Sequence, residues 1–210
     1  MKEVLYFYAF TPRKFFQGCF FMKKKSKKNI IRLVLTAMMA ALSVVFMFIV
    51  RFSLLPGAKF LEYDMGDIPV ILSTLFLGTP AGAFVLIFVS LIQSLTVSAA
   101  SSWQGFVMHV LSTGAYVMTL KLITRKKDGR KHLIAGAVIS TLVLTAIMIP
   151  LNLIFTPLYL NTTVEAVLEL MLPAIIPFNF LKGIINSLII VLLYAPLKEI
   201  LKKSNMLNKK

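Results

Sequence analysis

The chain alternates long apolar runs with short polar breaks, and almost all of its charge sits in the breaks. Runs near twenty apolar residues exceed what a soluble helix with one buried stripe requires, and they match the length needed to cross hydrocarbon. Six such segments are predicted. The first covers about Ile30 to Val50, about 31 Å at the helical rise. The second, about Ile68 to Leu77, is short and stops at Gly78-Thr79-Pro80, where two breakers interrupt the pattern. The third runs over about Ala81 to Ala99, the fourth about Phe106 to Ile123, the fifth about Leu133 to Phe155 and the sixth about Ile175 to Leu197. Pro150 and Pro157 are expected to break the fifth near its end, since proline removes a helix donor and clashes with the preceding turn. Residues 156–173 are expected to link the last two spans. The fold class predicted is an all-α membrane protein with six transmembrane helices.

Composition agrees: 58% of residues are hydrophobic and the mean hydropathy is +0.85. A formal charge of +15 raises the question of nucleic acid, but the basic residues cluster between spans, which is the pattern of cytoplasmic anchoring. One cluster is Lys23, Lys24, Lys25, Lys27, Lys28 and Arg32. A second is Lys121, Arg125, Lys126, Lys127, Arg130 and Lys131. The third is Lys198, Lys202, Lys203, Lys209 and Lys210. Alternate segments hold only Arg51, Lys59 and Lys182, so both termini are expected in the cytoplasm of a bacterial cell. Met1 to Phe21 is aromatic and interrupted by Pro12, Arg13 and Lys14, too broken for a span. Residues 1–21 are expected to be a non-native or disordered extension, with translation starting at Met22 and one membrane domain over 22–210; the competing expectation is an interfacial anchor built on Phe15, Phe16, Phe20 and Phe21. The single cysteine, Cys19, permits no internal disulfide, and no Cys/His cluster has metal-ligand spacing.

Polar residues inside or beside the spans are the candidates for function. Lys182 stands at the mouth of the last span with Asn179 three residues before it on the same face. A cation at the border of hydrocarbon needs a partner, a water-filled cavity or a ligand, or else snorkels to the headgroups. Asn152 lies near the prolines of the fifth span. In the first outer loop Asp67 precedes Ile68-Pro69 and fits a helix N-cap, while Glu62, Tyr63 and Asp64 are better placed to line a pocket entrance. Gln93, Ser94 and His109 are expected to bond to neighbouring helices. Ala37 and Ala41, four apart, offer a shallow groove where another helix can approach, although Ala40 blurs the register.

With Leu61-Glu62-Tyr63-Asp64-Met65-Gly66-Asp67-Ile68-Pro69, Gly78-Thr79-Pro80-Ala81-Gly82, Asn152 before Pro157-Leu158-Tyr159, and Pro177-Phe178-Asn179 with Lys182, the chain resembles the substrate-binding S components of energy-coupling factor vitamin transporters, above all their riboflavin-binding branch. The resemblance covers about Ile30 to Lys203. It implies the six-helix S-component fold, vitamin contacts at Asn152, Asn179 and Lys182, and contact of Ala37 and Ala41 with a membrane-embedded coupling subunit (the T component) that works with two ATPase subunits. Glu62 and Tyr63 depart from the family pattern.

The chemistry is compatible. A flavin ring has a flat apolar body and an edge of carbonyls and an imide, so it needs apolar walls plus amides able to donate and accept. Asn152, Asn179 and Lys182 supply such groups, with Asp64 and Glu62 at the entrance. No phosphate-cradling Gly-x-x-x-x-Gly-Lys-Ser/Thr, Gly-x-Ser-x-Gly turn or His-Glu-x-x-His pair is present, so no enzyme and no cofactor is expected, and ATP hydrolysis must come from partners. The alternatives are an S component for another vitamin and a stand-alone secondary transporter, the latter expected to show inverted halves and midplane acids.

Overall fold

The computed structural model describes residues 12–55, 58, 60–99, 101–126 and 129–203, with side chains from residue 28 onward except 126. Helix α1 runs from Pro12 to Ile49 and its apolar, membrane-length part is Lys28–Ile49. Of the extension expected over 1–21, residues 1–11 lie outside the described residues, and the helix is continuous from Pro12 onward. A small hairpin follows: β1 (Arg51–Ser53) pairs antiparallel with β2 (Glu62–Asp64), placing Arg51 opposite Asp64 and Phe52 opposite Tyr63. Then come α2 (Asp67–Phe76), α3 (Thr79–Leu95), α4 (Ser102–Lys126), α5 (Arg130–Leu160), α6 (Val164–Leu170), one π-helical turn (Met171–Ile175) and α7 (Ile176–Lys203).

Among the described residues, four helical runs are long and apolar enough to cross a membrane: the α1 stretch, Ser102–Arg125, Arg130–Leu160 and the continuous Val164–Lys203. Helices α2 and α3, of 10 and 17 residues, are shorter. Helix α2 is the hub of the bundle. It packs against α1, α3, α4 and α7, and every residue from Asp67 to Thr74 is buried. Around it the order is α1, α3, α4, α5, α7, each packed on the next.

Two expectations need correction. Pro150 and Pro157 do not end the fifth span; α5 continues to Leu160 and stops at Asn161, which adopts the left-handed conformation. Inside a packed bundle, neighbouring side chains brace a proline-weakened turn. Here the Asn152 amide donates to the Met148 carbonyl (2.7 Å) and the Thr156 hydroxyl to Asn152 Oδ1 (2.8 Å). Nor is 156–173 a bare link: α6 starts there, with the Thr163 hydroxyl accepting from the Ala166 amide at its N-cap. Pro173 then falls in the π-helical turn, where an added residue per turn absorbs the missing donor.

Among the described residues the interior holds two apolar clusters. One, through α1 to α5 and α7, includes Met47, Ile71, Val85, Tyr116, Leu120 and Ile190. The other lies beneath the hairpin and comprises Ala58, Leu61, Tyr63, Val167, Met171, Ala174, Ile175 and Phe178. Met65 packs against both. The helices approach most closely where glycine removes the side chain: a Cβ on Gly82 would stand 1.8 Å from Thr74 Oγ1, joining α3 to α2, and one on Gly183 would stand 2.6 Å from Thr141 Cγ2, joining α7 to α5. Thr141 is held by hydrogen bonds to the Ala137 carbonyl and to Ser187, so it cannot swing aside freely. Gly183→Ala is therefore expected to cost about 1–3 kcal/mol by overpacking. Thermal unfolding in detergent checks this, and adding Thr141→Ser, which deletes the clashing methyl, should restore part of the loss.

Candidate functional site

The site begins at the first residue of α2. The N-cap position is Gly66 and no side chain caps the helix, so Asp67 is not the cap its position before Ile68-Pro69 implied. Its carboxylate points instead into the bundle, where it is 1 % exposed. Oδ1 accepts from His109 Nε2 (2.8 Å) and the Thr113 hydroxyl (3.1 Å). Oδ2 accepts from the Lys182 ammonium (3.0 Å) and the Asn186 amide (3.3 Å). Each carboxylate oxygen is thus gripped by an i, i+4 pair, one from α4 and one from α7, because residues four apart share a helix face.

Further hydrogen bonds hold these partners in turn. With the proton on Nε2, His109 Nδ1 accepts from the Ser90 hydroxyl of α3 (2.7 Å). His109 thereby forms the interhelical bonds expected of it, to two helices at once. The Tyr63 hydroxyl, on the hairpin, donates to Asn186 Oδ1 (2.9 Å). Burial, together with the nearby Asp67 charge, pushes the Tyr63 phenol up from its ordinary range and keeps it a donor. Asp64, also buried, accepts from the Gly66 amide (2.9 Å) and from the Gln93 side-chain amide (3.1 Å). Gln93 Oε1 is buried without a partner among the described residues, an acceptor that a native protein rarely strands.

The residues singled out from the sequence fall into four places. Lys182, 12 % exposed at its side chain, belongs to the Asp67 group, so the charge partner it needs is Asp67. Asn152 and Asn179 are buried on facing helices α5 and α7. Their neighbours Ile149, Leu153, Ile175 and Phe178 all belong to the cluster beneath the hairpin, and the Asn179 amide donates to the Ile175 carbonyl (2.8 Å). Glu62 stands apart on the exposed hairpin edge, paired with Arg51. Ala37 and Ala41 are exposed on α1, while Thr36, Ala40, Ser43 and Met47 form its buried stripe. Asp67, Thr113 and Asn186 escaped the sequence-based site. The signal available was the i, i+4 spacing of His109 with Thr113 and of Lys182 with Asn186, two polar pairs inside apolar helices that need one common partner.

The model of the family described as "ECF transporter, substrate-specific component" matches residues 31–194, a stretch that includes every residue of this site. The chain belongs to this family. It is therefore a multi-pass membrane protein and a transporter component, not an enzyme. It is 32% identical over 183 residues to "Riboflavin transporter RibU" of Streptococcus thermophilus, covering 83% of this chain and 86% of that protein. With the protein of the same name from Staphylococcus aureus it shares 30% identity over 178 residues, 82% of this chain and 93% of the relative. "Riboflavin transporter FmnP" of Bacillus subtilis is 26% identical over 175 residues, 80% of this chain and 92% of its own. The fold is similar to a solved structure described as "Structure and mechanism of the S component of a bacterial ECF transporter", with a TM-score of 0.70, 32% identity, and coverage of 81% of this chain and 97% of that one.

Within this S component, removing the Asp67 charge leaves Lys182 buried without its counter-ion. Asp67→Asn is expected to lower stability by about 3–5 kcal/mol. Combining it with Lys182→Met should cost less than the two single changes added together. A double-mutant cycle on thermal unfolding in detergent reads the coupling.

Proposed function

We propose that this S component binds riboflavin beneath the β1–β2 hairpin and hands it to the cytoplasm through a coupling subunit driven by two ATPase subunits. The single observation that carries the proposal is the hydrogen bond from Tyr63, which shares an apolar cluster with Ile175 and Phe178, to Asn186 of the Lys182–Asp67 group, with the buried Asn152 and Asn179 on helices whose residues join the same cluster. A flat heterocycle needs such walls together with a few fixed donors and acceptors. The amides serve the carbonyl and imide edge, Lys182 donates to a ring carbonyl or ribityl hydroxyl, and Gln93 Oε1 is a further acceptor. Asp64 lines the approach, with Glu62 at its rim. The similarity to proteins named riboflavin transporters supports the choice of vitamin.

The proposal extends to architecture. Helices α2 and α3 join the four long helices to make six crossings, α2 being buried in the bundle rather than bathed in lipid. The cationic clusters place both termini on the cytoplasmic side of the cell membrane, with the hairpin outside. The exposed Ala37 and Ala41 form the strip on α1 that meets the coupling subunit, since small side chains let two helices approach in lipid.

Purified protein titrated with riboflavin, read by quenching of flavin fluorescence, tests the site. Lys182→Ala and Asn179→Ala are each expected to weaken binding about ten-fold or more, a lost buried polar contact being worth on the order of 1–3 kcal/mol. Unchanged affinity in both variants sinks the assignment, and a panel of other vitamins establishes selectivity. Ala37→Trp is expected to leave riboflavin affinity intact and to abolish uptake into cells supplied with the coupling module; normal uptake removes the role given to that strip.

A further inference from the structure

The end of the bundle opposite the hairpin contains a cavity of about 420 Å³ between the start of α5 and the end of α7. Its lining combines three cations, Arg130, Lys198 and Lys202, and one acid, Glu199, with the apolar Leu133, Val191, Leu192 and Ala195. Lys198 is held over the Tyr194 ring, 5.4 Å from its centre, so this cation is positioned at the wall. Gly129 and Arg130 bring the amino-terminal end of α5 to the same wall, and the first turn of that helix has no acidic residue to offset its dipole. Apolar surface continues outward on both helices: on α7 Leu192 is 69% exposed with Leu188 exposed one turn before it, and on α5 Ile134 and Val138 are exposed, as expected of helix faces turned to lipid.

We infer that this cavity binds one anionic phospholipid, its phosphate among Arg130, Lys198 and Lys202 and its acyl chain along Leu133, Val191 and Leu192. The chemistry recognised is a phosphate anion; the continuity of the apolar wall with the lipid-facing side of α5 and α7 assigns it to a lipid headgroup rather than to free phosphate. A basic recess between helices at the membrane boundary is the arrangement that concentrates anionic headgroups. The site is separate from the proposed riboflavin site, and neither depends on the other.

The test uses the full chain, stripped of lipid in detergent and titrated with phosphatidylglycerol or phosphatidylcholine, with adducts counted by native mass spectrometry. A single phosphatidylglycerol adduct is expected, favoured over phosphatidylcholine. The variant Arg130→Gln/Lys198→Gln/Lys202→Gln should lose that preference by about ten-fold or more, whereas the charge-matched Arg125→Gln/Lys131→Gln/Lys203→Gln should stay within about two-fold of the parent. Equal losses in the two triple variants, or no preference in the parent, overturn the site. Saturation by inorganic phosphate at the same concentrations as phosphatidylglycerol overturns its assignment to lipid. Elution as a single species and an unchanged unfolding temperature establish that each variant is folded; should the triple variant fail this, Lys202→Gln alone, at an exposed position, is expected to lose about three-fold and an unchanged value overturns the proposal.

Discussion

A carboxylate enclosed by a membrane protein must find its partners within the protein, and Asp67 finds four on two helices. Taking a charge out of water costs several kcal/mol, and only well-aimed donors and an opposite charge offset that cost. Once Asp67 occupies the start of α2, the faces that α4 and α7 turn inward are decided, because His109 must sit with Thr113 and Lys182 with Asn186 around the same two oxygens. The amino-terminal end of α2 adds its own dipole, which favours a negative charge at that position. The ion pair is thus a device for register among three helices, whatever its net contribution to stability.

The same interaction explains how so short a helix is tolerated. In the proposed six-crossing arrangement the ten residues of α2 rise about 15 Å, roughly half the hydrocarbon thickness, so the chain entering it is non-helical at some depth. Irregular backbone survives there only when it is enclosed by protein and its polar groups are matched. They are: the Met65 amide donates to the Val50 carbonyl, the Ser43 hydroxyl to the Gly66 carbonyl, and Asp64 accepts from the Gly66 amide. At the other end of α2, the Lys121 ammonium donates to the Leu75 carbonyl, a cation placed against the negative end of the helix. The hairpin and the two flanking ionic contacts complete what the helix lacks in length.

Much of this was legible in the sequence. The long spans follow from apolar runs alone, since lipid imposes a length rule that no tertiary detail overrides. Gly78-Thr79-Pro80 marked the turn between α2 and α3, and Gly78 does adopt a positive φ of 96°. What failed were rules learned from helices in water. In water Pro150 and Pro157 would terminate the helix, but here Asn152 and Thr156 brace the turns around them. The hairpin was invisible because each strand has only three residues. Asp67 was misassigned for a different reason: a local role at the helix start already accounted for its charge, whereas its true partners lie 42 residues away at His109 and 119 away at Asn186. Spacing within a helix cannot reveal such contacts. The inference was still available in another form, because an intraspan histidine and lysine both call for an acid and the loop before α2 held the buried ones.

Pairing Lys182 with Asp67 also changes what the proposed binding of a neutral heterocycle requires. An isolated buried lysine would have to be desolvated and compensated by the ligand itself, which a flavin carbonyl cannot do. With Asp67 already beside it, the charge is balanced before the ligand arrives, and one ammonium proton engages the carboxylate while others remain to donate. The amides of Asn152 and Asn179 are likewise held by their own helices through one N–H each, so their orientation is settled in advance and their oxygen and second hydrogen are aimed by the backbone. Ordering these side chains at the moment of binding would each cost a fraction of the affinity, and here that ordering belongs to folding. Under the proposed function, selectivity for a flat ring with a hydrogen-bonding edge rests on rigid, charge-balanced groups around an apolar wall, and it is Asp67, which need not touch the ligand, that makes them so.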